Sequence, residues 1–183
     1  DAFGVTQDTT HNFALTTAGT EVHEKCTAVA RNIEAALGAA VYTGIQAFVG
    51  KNFFDKLVTH ANVKDAYKTW QGIAHLQGAS PRKKFHFGGI DWTEYRGSVT
   101  GSAGTPVAFV GDDDGYAFPV GVPGLFKTYF APANYVETVN TIGLPRYAKA
   151  ERIKFDKGVE GEMQTNPISI CERPKVLQKL VKA

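Results

Sequence analysis

The chain has 183 residues, 43% hydrophobic and 11% aromatic, with 20 basic and 18 acidic residues and a net charge of +2. That is enough for one domain, or one domain with an extension, and enough apolar material for a packed core, which argues against a disordered chain. The even charge balance does not predict nucleic-acid binding by charge alone, and no apolar run reaches the roughly 18 residues of a membrane span.

The chain opens at Asp1 and reads straight into DAFGVTQDTTHNFAL. That stretch looks like the middle of a domain, so a fragment is expected. No basic start precedes an apolar stretch, so no secretory signal is expected. Ala2 to Thr17 carry Thr and Phe without a helical period and read as extended.

Thr20 to Leu37 give the clearest pattern. Val22, Cys26, Val29, Ile33 and Leu37 recur every three or four residues, which predicts an amphipathic helix. Thr20 is the expected N-cap and Gly38 the left-handed stop. Ile45 to Val49, between Gly44 and Gly50, predict a buried strand. Asn52 is expected to cap a short helix burying Phe53, Phe54, Leu57 and Val58. Asn62 is expected to cap another, with Val63, Ala66, Tyr67, Trp70, Ile73 and Ala74 on one stripe, ended by Gly78, Ser80 and Pro81.

The second half changes character. KKFHFGGIDWTEYRG alternates on both sides of Gly88–Gly89, a hairpin signal that sets Phe85 and Phe87, then Ile90, Trp92 and Tyr95, on one side and His86 on the outer face. Ser98 to Thr105 read as a small-residue loop, and Asp112, Asp113 and Asp114 as a second exposed loop before a strand-like YAFPVG. RYAKAERIKFDKGVEGEMQTNPISI alternates around a turn at Asp156, Lys157 and Gly158. This predicts a long, solvated two-stranded ribbon, which is marginal alone and needs a neighbour. KVLQKLV, after Pro174, reads as a last strand.

Chemistry-bearing residues do not gather. The three aspartates are consecutive and point in different directions, so a solvated turn is the simpler reading than a cation site. His11, His23, His60, His75 and His86 lack HxxxH or HExxH spacing. Ser98 and Ser102 lack the GxSxG elbow, and no phosphate-cradling glycine motif occurs. Cys26 lies in an apolar stripe, and with Cys171 reads as a pair of free, buried thiols. Arg173, Lys175, Lys179 and Lys182 could meet nucleic acid, but read more simply as the polar side of a strand. No catalytic, cofactor-binding or metal site is assigned. Were the chain an enzyme, His86, Glu94 and Ser98 would be the residues to examine.

The final third resembles the C-terminal region of the lambda-type phage major capsid protein E family. The matching motifs, in order, are Pro119 to Gly121, Ala131 to Asn134, Val139 to Thr141, Pro145 to Lys149, Gln164 to Pro167 and Cys171 to Pro174. FGVTQDT, RNIEAALG, GKNFFDKLVTHANVKDAY and GGIDWTEYRG extend the resemblance upstream over the rest of the chain.

The resemblance implies an α+β, Hong Kong 97-like capsid fold. It would comprise an axial domain, with a β-sheet flanked by helices, and a peripheral β-ribbon. On that pattern residues 1–19 are an extended segment of the peripheral domain, 20–145 the axial domain, 146–170 the peripheral ribbon, and 171–183 a strand returning to the axial domain. The N-terminal arm, extended loop and spine helix have no counterpart here and would precede Asp1. The implied role is a non-enzymatic shell subunit of a phage or prophage head, assembled in the bacterial cytoplasm. It would form hexamers and pentamers, enclose DNA without sequence specificity, and take a decoration or scaffolding protein as a further partner. No membrane contact and no cofactor are implied. The loops at Ser98 to Thr105 and Asp112 to Asp114 are candidates for subunit contacts or capsomer pores. A host nanocompartment shell of the same fold, or an uncharacterised α/β enzyme, are the alternatives.

Overall fold

A computed structural model describes residues 10–76, 84–101 and 104–183. Its elements are β1 (Thr10–Asn12), α1 (Val22–Leu37), β2 (Gly44–Val49), α2 (Lys51–Thr59), α3 (Ala61–Leu76), β3 (Phe85–Phe87) and β4 (Ile90–Glu94). They continue with β5 (Ser98–Thr100), β6 (Pro106–Ala108), β7 (Asp114–Val120), β8 (Phe126–Phe130), β9 (Tyr147–Arg152), β10 (Val159–Gln164), β11 (Pro167–Cys171) and β12 (Gln178–Val181). Residues 1–9 of the expected extended segment, the helix stop at Gly78, Ser80 and Pro81, Ser102, and the side chains of Ile73, Ala74 and His75 lie outside the described residues.

Two compact units divide the chain: Asp1–Pro123 with Arg173–Ala183, and Gly124–Glu172. The first is built on a six-stranded mixed sheet in the order β1-β12-β7-β2-β4-β3. β2 runs parallel to β4 and antiparallel to β7, and β12 runs antiparallel to β7 and parallel to β1. Register places Ile45, Ala47 and Val49 beside Ile90, Trp92, Ala117 and Pro119, all buried. Phe48, Phe118 and Tyr95 cluster on the opposite, more open face, with ring centroids 5.2–5.3 Å apart. β2 is therefore half-buried and alternating, where its apolar composition suggested burial on both sides.

The helices supply the rest of the core. Val22, Cys26, Val29, Ile33 and Leu37 are all buried, as the spacing predicts, and Gly38 ends α1 at φ 62°. Phe53, Phe54 and Leu57 are buried on α2, while Val58 is half-buried. Trp92 stacks on Phe53 at 5.9 Å, and Phe13 meets both rings edge-on at 5.6 Å. On α3, Val63 is buried, Tyr67 and Trp70 pack edge-on against Phe85, and Ala66 is exposed.

None of the three expected caps acts as one. Glu21 occupies the N-cap of α1, because the Thr20 hydroxyl donates to Ala14 O at 3.0 Å. Gly50 is the N-cap of α2, and the Asn52 side chain donates to Asp113 Oδ1 at 3.0 Å. α3 begins one residue before Asn62, whose side chain donates to Thr20 O and Glu21 Oε2. The start of α2 is instead satisfied by a carbonyl: Asp112 O accepts from both Asn52 N and Phe53 N at 3.1 Å. Gly50 permits that approach, since a Cβ there would lie 2.1 Å from Gly111 O.

β3 and β4 form the expected hairpin, with Gly88 and Gly89 at φ 62° and 78°, the left-handed pair that a two-residue turn of this hand needs. Ser98 to Thr105, expected as a loop, begins with β5, which pairs with β6 as a short hairpin. Three-residue strands of Ser, Thr, Pro and Ala carry too little apolar signal to stand out.

The second unit holds two antiparallel pairs. β9 pairs with β10, the expected ribbon, and β8 pairs with β11. The second unit begins at Gly124 and ends at Glu172, and the pairing of Phe126–Phe130 with Pro167–Cys171 lies within it. Residues 10–12, expected within the extended segment, lie at the edge of the six-stranded sheet, and KVLQKLV supplies β12 in it.

Candidate functional site

His86, Glu94 and Ser98 do not converge. His86 on β3 pairs across the ladder with Asp91, and its Nδ1 lies 2.8 Å from Asp91 Oδ1. Burial raises the Asp91 carboxyl, and the His86 and Lys84 hydrogen bonds more than offset this, holding it below its ordinary value. Glu94 lies an odd number of residues from Asp91, so it faces the other way on β4. It binds Arg96, whose Nε donates at 2.7 Å. Ser98 is exposed on β5, opposite Ala108.

His11, His23 and His60 are held in hydrogen bonds and ring contacts of the first unit. His11 Nε2 lies 2.9 Å from Gln178 Oε1 and 3.2 Å from Asn32 Nδ2. His60 is buried, with Nε2 3.0 Å from Thr17 O. His23 packs edge-on against Phe87. Among the described residues no group of three His, Cys, Asp or Glu side chains could hold a metal ion. Cys26 is fully buried, which pushes its thiol up to about 12, out of the range of a nucleophile. Cys171 is half-buried.

The three aspartates form a charge knot within the first unit. Asp112 and Asp113 sit in a turn and Asp114 opens β7. Lys51 reaches Asp112 at 3.2 Å, Lys182 reaches Asp113 at 2.7 Å, and Lys179 reaches Asp114 at 3.5 Å. Such exposed pairs are individually weak, because water screens them. Their effect is to fix a turn that joins α2, β7 and β12. Two cations of the C-terminal tail are engaged here. A third, Arg173, donates to Leu37 O at the end of α1 at 2.7 Å.

The second unit has surface with no core to match it. Across residues 124–172, all of them described, just Leu125, Ala133 and Thr138 are buried. Val136, Ile142, Phe155 and Met163 are each more than three-quarters exposed. The ribbon is two-faced. On one side Arg152, Ala150 and Ala148 stand opposite Val159, Gly161 and Met163. On the other, Glu151, Lys149 and Tyr147 stand opposite Glu160, Glu162 and Gln164. At its tip Phe155 is 88% exposed, with a left-handed φ of 65°. A bulky residue in that region is strained, and strain of this kind collects at contact and switch segments.

Residues 1–182 match the family described as phage major capsid protein E. The chain belongs to that family. It is 31% identical over 179 residues to the major capsid protein of Pseudomonas phage KPP10, covering 92% of this chain and 51% of that protein. It is 27% identical over 158 residues to the major capsid protein of Salmonella phage Felix O1 (isolate Felix O1-VT1), covering 73% and 43%. The chain thus spans about half the length of the curated relatives it matches. A crystal structure of a prophage capsid protein from E. coli CFT073 superposes with a TM-score of 0.55 at 14% identity, over 86% of this chain and 46% of that one. At that identity the likeness shows the fold: α+β and Hong Kong 97-like.

The left-handed backbone at Phe155 was not legible in the sequence. The alternating charges were legible. The like-charge pairing of Glu151 with Glu160 depends on register and was not.

Proposed function

We propose that this chain is part of the shell subunit of a phage or prophage icosahedral head. It self-assembles into hexamers and pentamers that enclose DNA without sequence specificity, in the bacterial cytoplasm, and ends in the virion capsid. A decoration or scaffolding protein is a further partner of the same shell. The first unit corresponds to the axial domain and the second to the peripheral one.

The observation that carries this reading is the imbalance of the second unit: 49 residues with three buried side chains and several large apolar residues in solvent. Two-stranded pairs of this kind are marginal in water. They gain a covered face when neighbouring copies pack against them, and many modest contacts repeated over a closed shell sum to a stable particle. The β5–β6 hairpin, with Val99, Val107 and Phe109 at least half exposed, is a second surface available to a neighbour.

Sedimentation velocity of the full-length protein, expressed from its own gene at varied salt and pH, tests the proposal. Boundaries at the mass of pentamers, hexamers or shells are expected. A single monomer boundary under every condition would overturn it.

A further inference from the structure

On one face of the β9–β10 ribbon, the register sets Glu151 directly opposite Glu160. Like charges in that position oppose strand pairing, because their Cβ atoms stand roughly 4.5–5.5 Å apart. The next pair on the same face is Lys149 with Glu162, and the Lys149 ammonium turns to Glu137 at 3.2 Å. Glu151, Glu160 and Glu162 are exposed and form no ion pair among the described residues. The ribbon thus sets Glu151 against Glu160, with Glu162 next to them on the same face opposite Lys149.

The first unit carries a surface of opposite character. A groove of about 440 Å³ opens where α2 ends and α3 begins. Leu15, Ala18 and Ala61 give it apolar walls, and Lys56 and Lys64 line it with positive charge. Both lysines are exposed and make no ion pair among the described residues.

We propose that the Glu151, Glu160 and Glu162 face of the ribbon docks on the Lys56 and Lys64 groove of a second copy of this chain. The occupant is a second copy because the acidic face and the basic groove are complementary in charge and every copy carries both. Each copy then gives one surface and receives on the other. Such a head-to-tail contact makes a ring wherever its rotation closes. The proposal rests on the shell-subunit reading and specifies a contact that reading leaves open. Opposite potentials on the two surfaces steer encounter and fix register.

The test is a charge swap in the full-length protein. Glu160→Lys is expected to cut the yield of rings and shells at least about ten-fold, and Lys56→Glu with Lys64→Glu to do the same. The three changes together are expected to restore yield to within about two-fold of the parent. Folding is checked by thermal melting, and Glu160→Lys should melt no lower than the parent, since it removes the Glu151–Glu160 repulsion. Unchanged yield in either single-surface variant, or no recovery when they are combined, overturns the contact while leaving the shell reading intact. Rescue only by an added scaffolding or decoration protein assigns the acidic face to that protein and also overturns it. A parent protein that forms no particles overturns both.

Discussion

Lys182 binds Asp113 twice: its ammonium stands 2.7 Å from Asp113 Oδ1, and its backbone N–H donates to Asp113 O at 3.0 Å. The same carboxyl oxygen accepts from Asn52 Nδ2 at 3.0 Å. One short turn therefore ties the end of β12 to the first turn of α2.

These contacts, Lys182 first and Asn52 second, hold the Asp113 carboxyl below its ordinary value. The folded value is lower than the unfolded one. The contribution is thus present above the unfolded value of about 3.9 and is lost as pH falls through the folded value. Melting temperatures from pH 2 to 7, for the parent and Asp113→Asn, check this. The parent should be the more stable near neutrality, with the gap closing below about pH 3.9. A gap that stays constant across the range would contradict the linkage.

The turn at Gly88–Gly89 gives a paired prediction. A Cβ on Gly88 would stand 2.6 Å from Cys26 Cβ, whereas one on Gly89 meets nothing within 4 Å. Both sites have positive φ. Gly88→Ala should cost about 1–3 kcal/mol or more, since overpacking adds to backbone strain. Gly89→Asn should cost clearly less, because Asn tolerates the left-handed region. Urea unfolding of the two variants measures the difference. Equal costs would mean that contact with Cys26 does not matter.

Much of this architecture was legible in the sequence, and the failures share a cause. The stripe from Val22 to Leu37 and the alternation around Gly88–Gly89 are local patterns that tertiary packing reinforces. The caps failed because the side chains of Thr20, Asn52 and Asn62 bond elsewhere, Asn52 and Asn62 to partners far along the chain, and Asp112 O, sixty residues on, satisfies the start of α2. The aspartate run was visible, but Lys51, Lys179 and Lys182 come together with it only through the sheet order. The pairing of Phe126–Phe130 with Pro167–Cys171 likewise links segments with no shared local signal. The ribbon's alternation was readable, and its two faces became distinct only with the register.

Phe13 and Phe155 should respond oppositely to truncation. Phe13 is fully buried between Phe53 and Trp92, whereas Phe155 is 88% exposed. Phe13→Ala should lower unfolding free energy by about 3–5 kcal/mol. Phe155→Ala should change it by less than about 0.5 kcal/mol. Denaturant midpoints decide the matter, and a large loss at Phe155 would show that the tip is packed within its own chain.

The thiols should differ in reactivity. Burial raises Cys26 to about 12 and closes it to solvent, while Cys171 is half-buried. Thiol titration of the native protein at pH 8 should label Cys171 first and Cys26 only on unfolding. Equal rates would show that α1 opens readily.

As the proposed shell subunit, the full-length protein should build closed particles. Electron microscopy of the full-length protein, expressed from its own gene, tests it most directly. Closed particles, or rings of five and six subunits, are the predicted result. A field of dispersed monomers at every salt concentration and pH would contradict it, leaving a capsid fold that does not assemble.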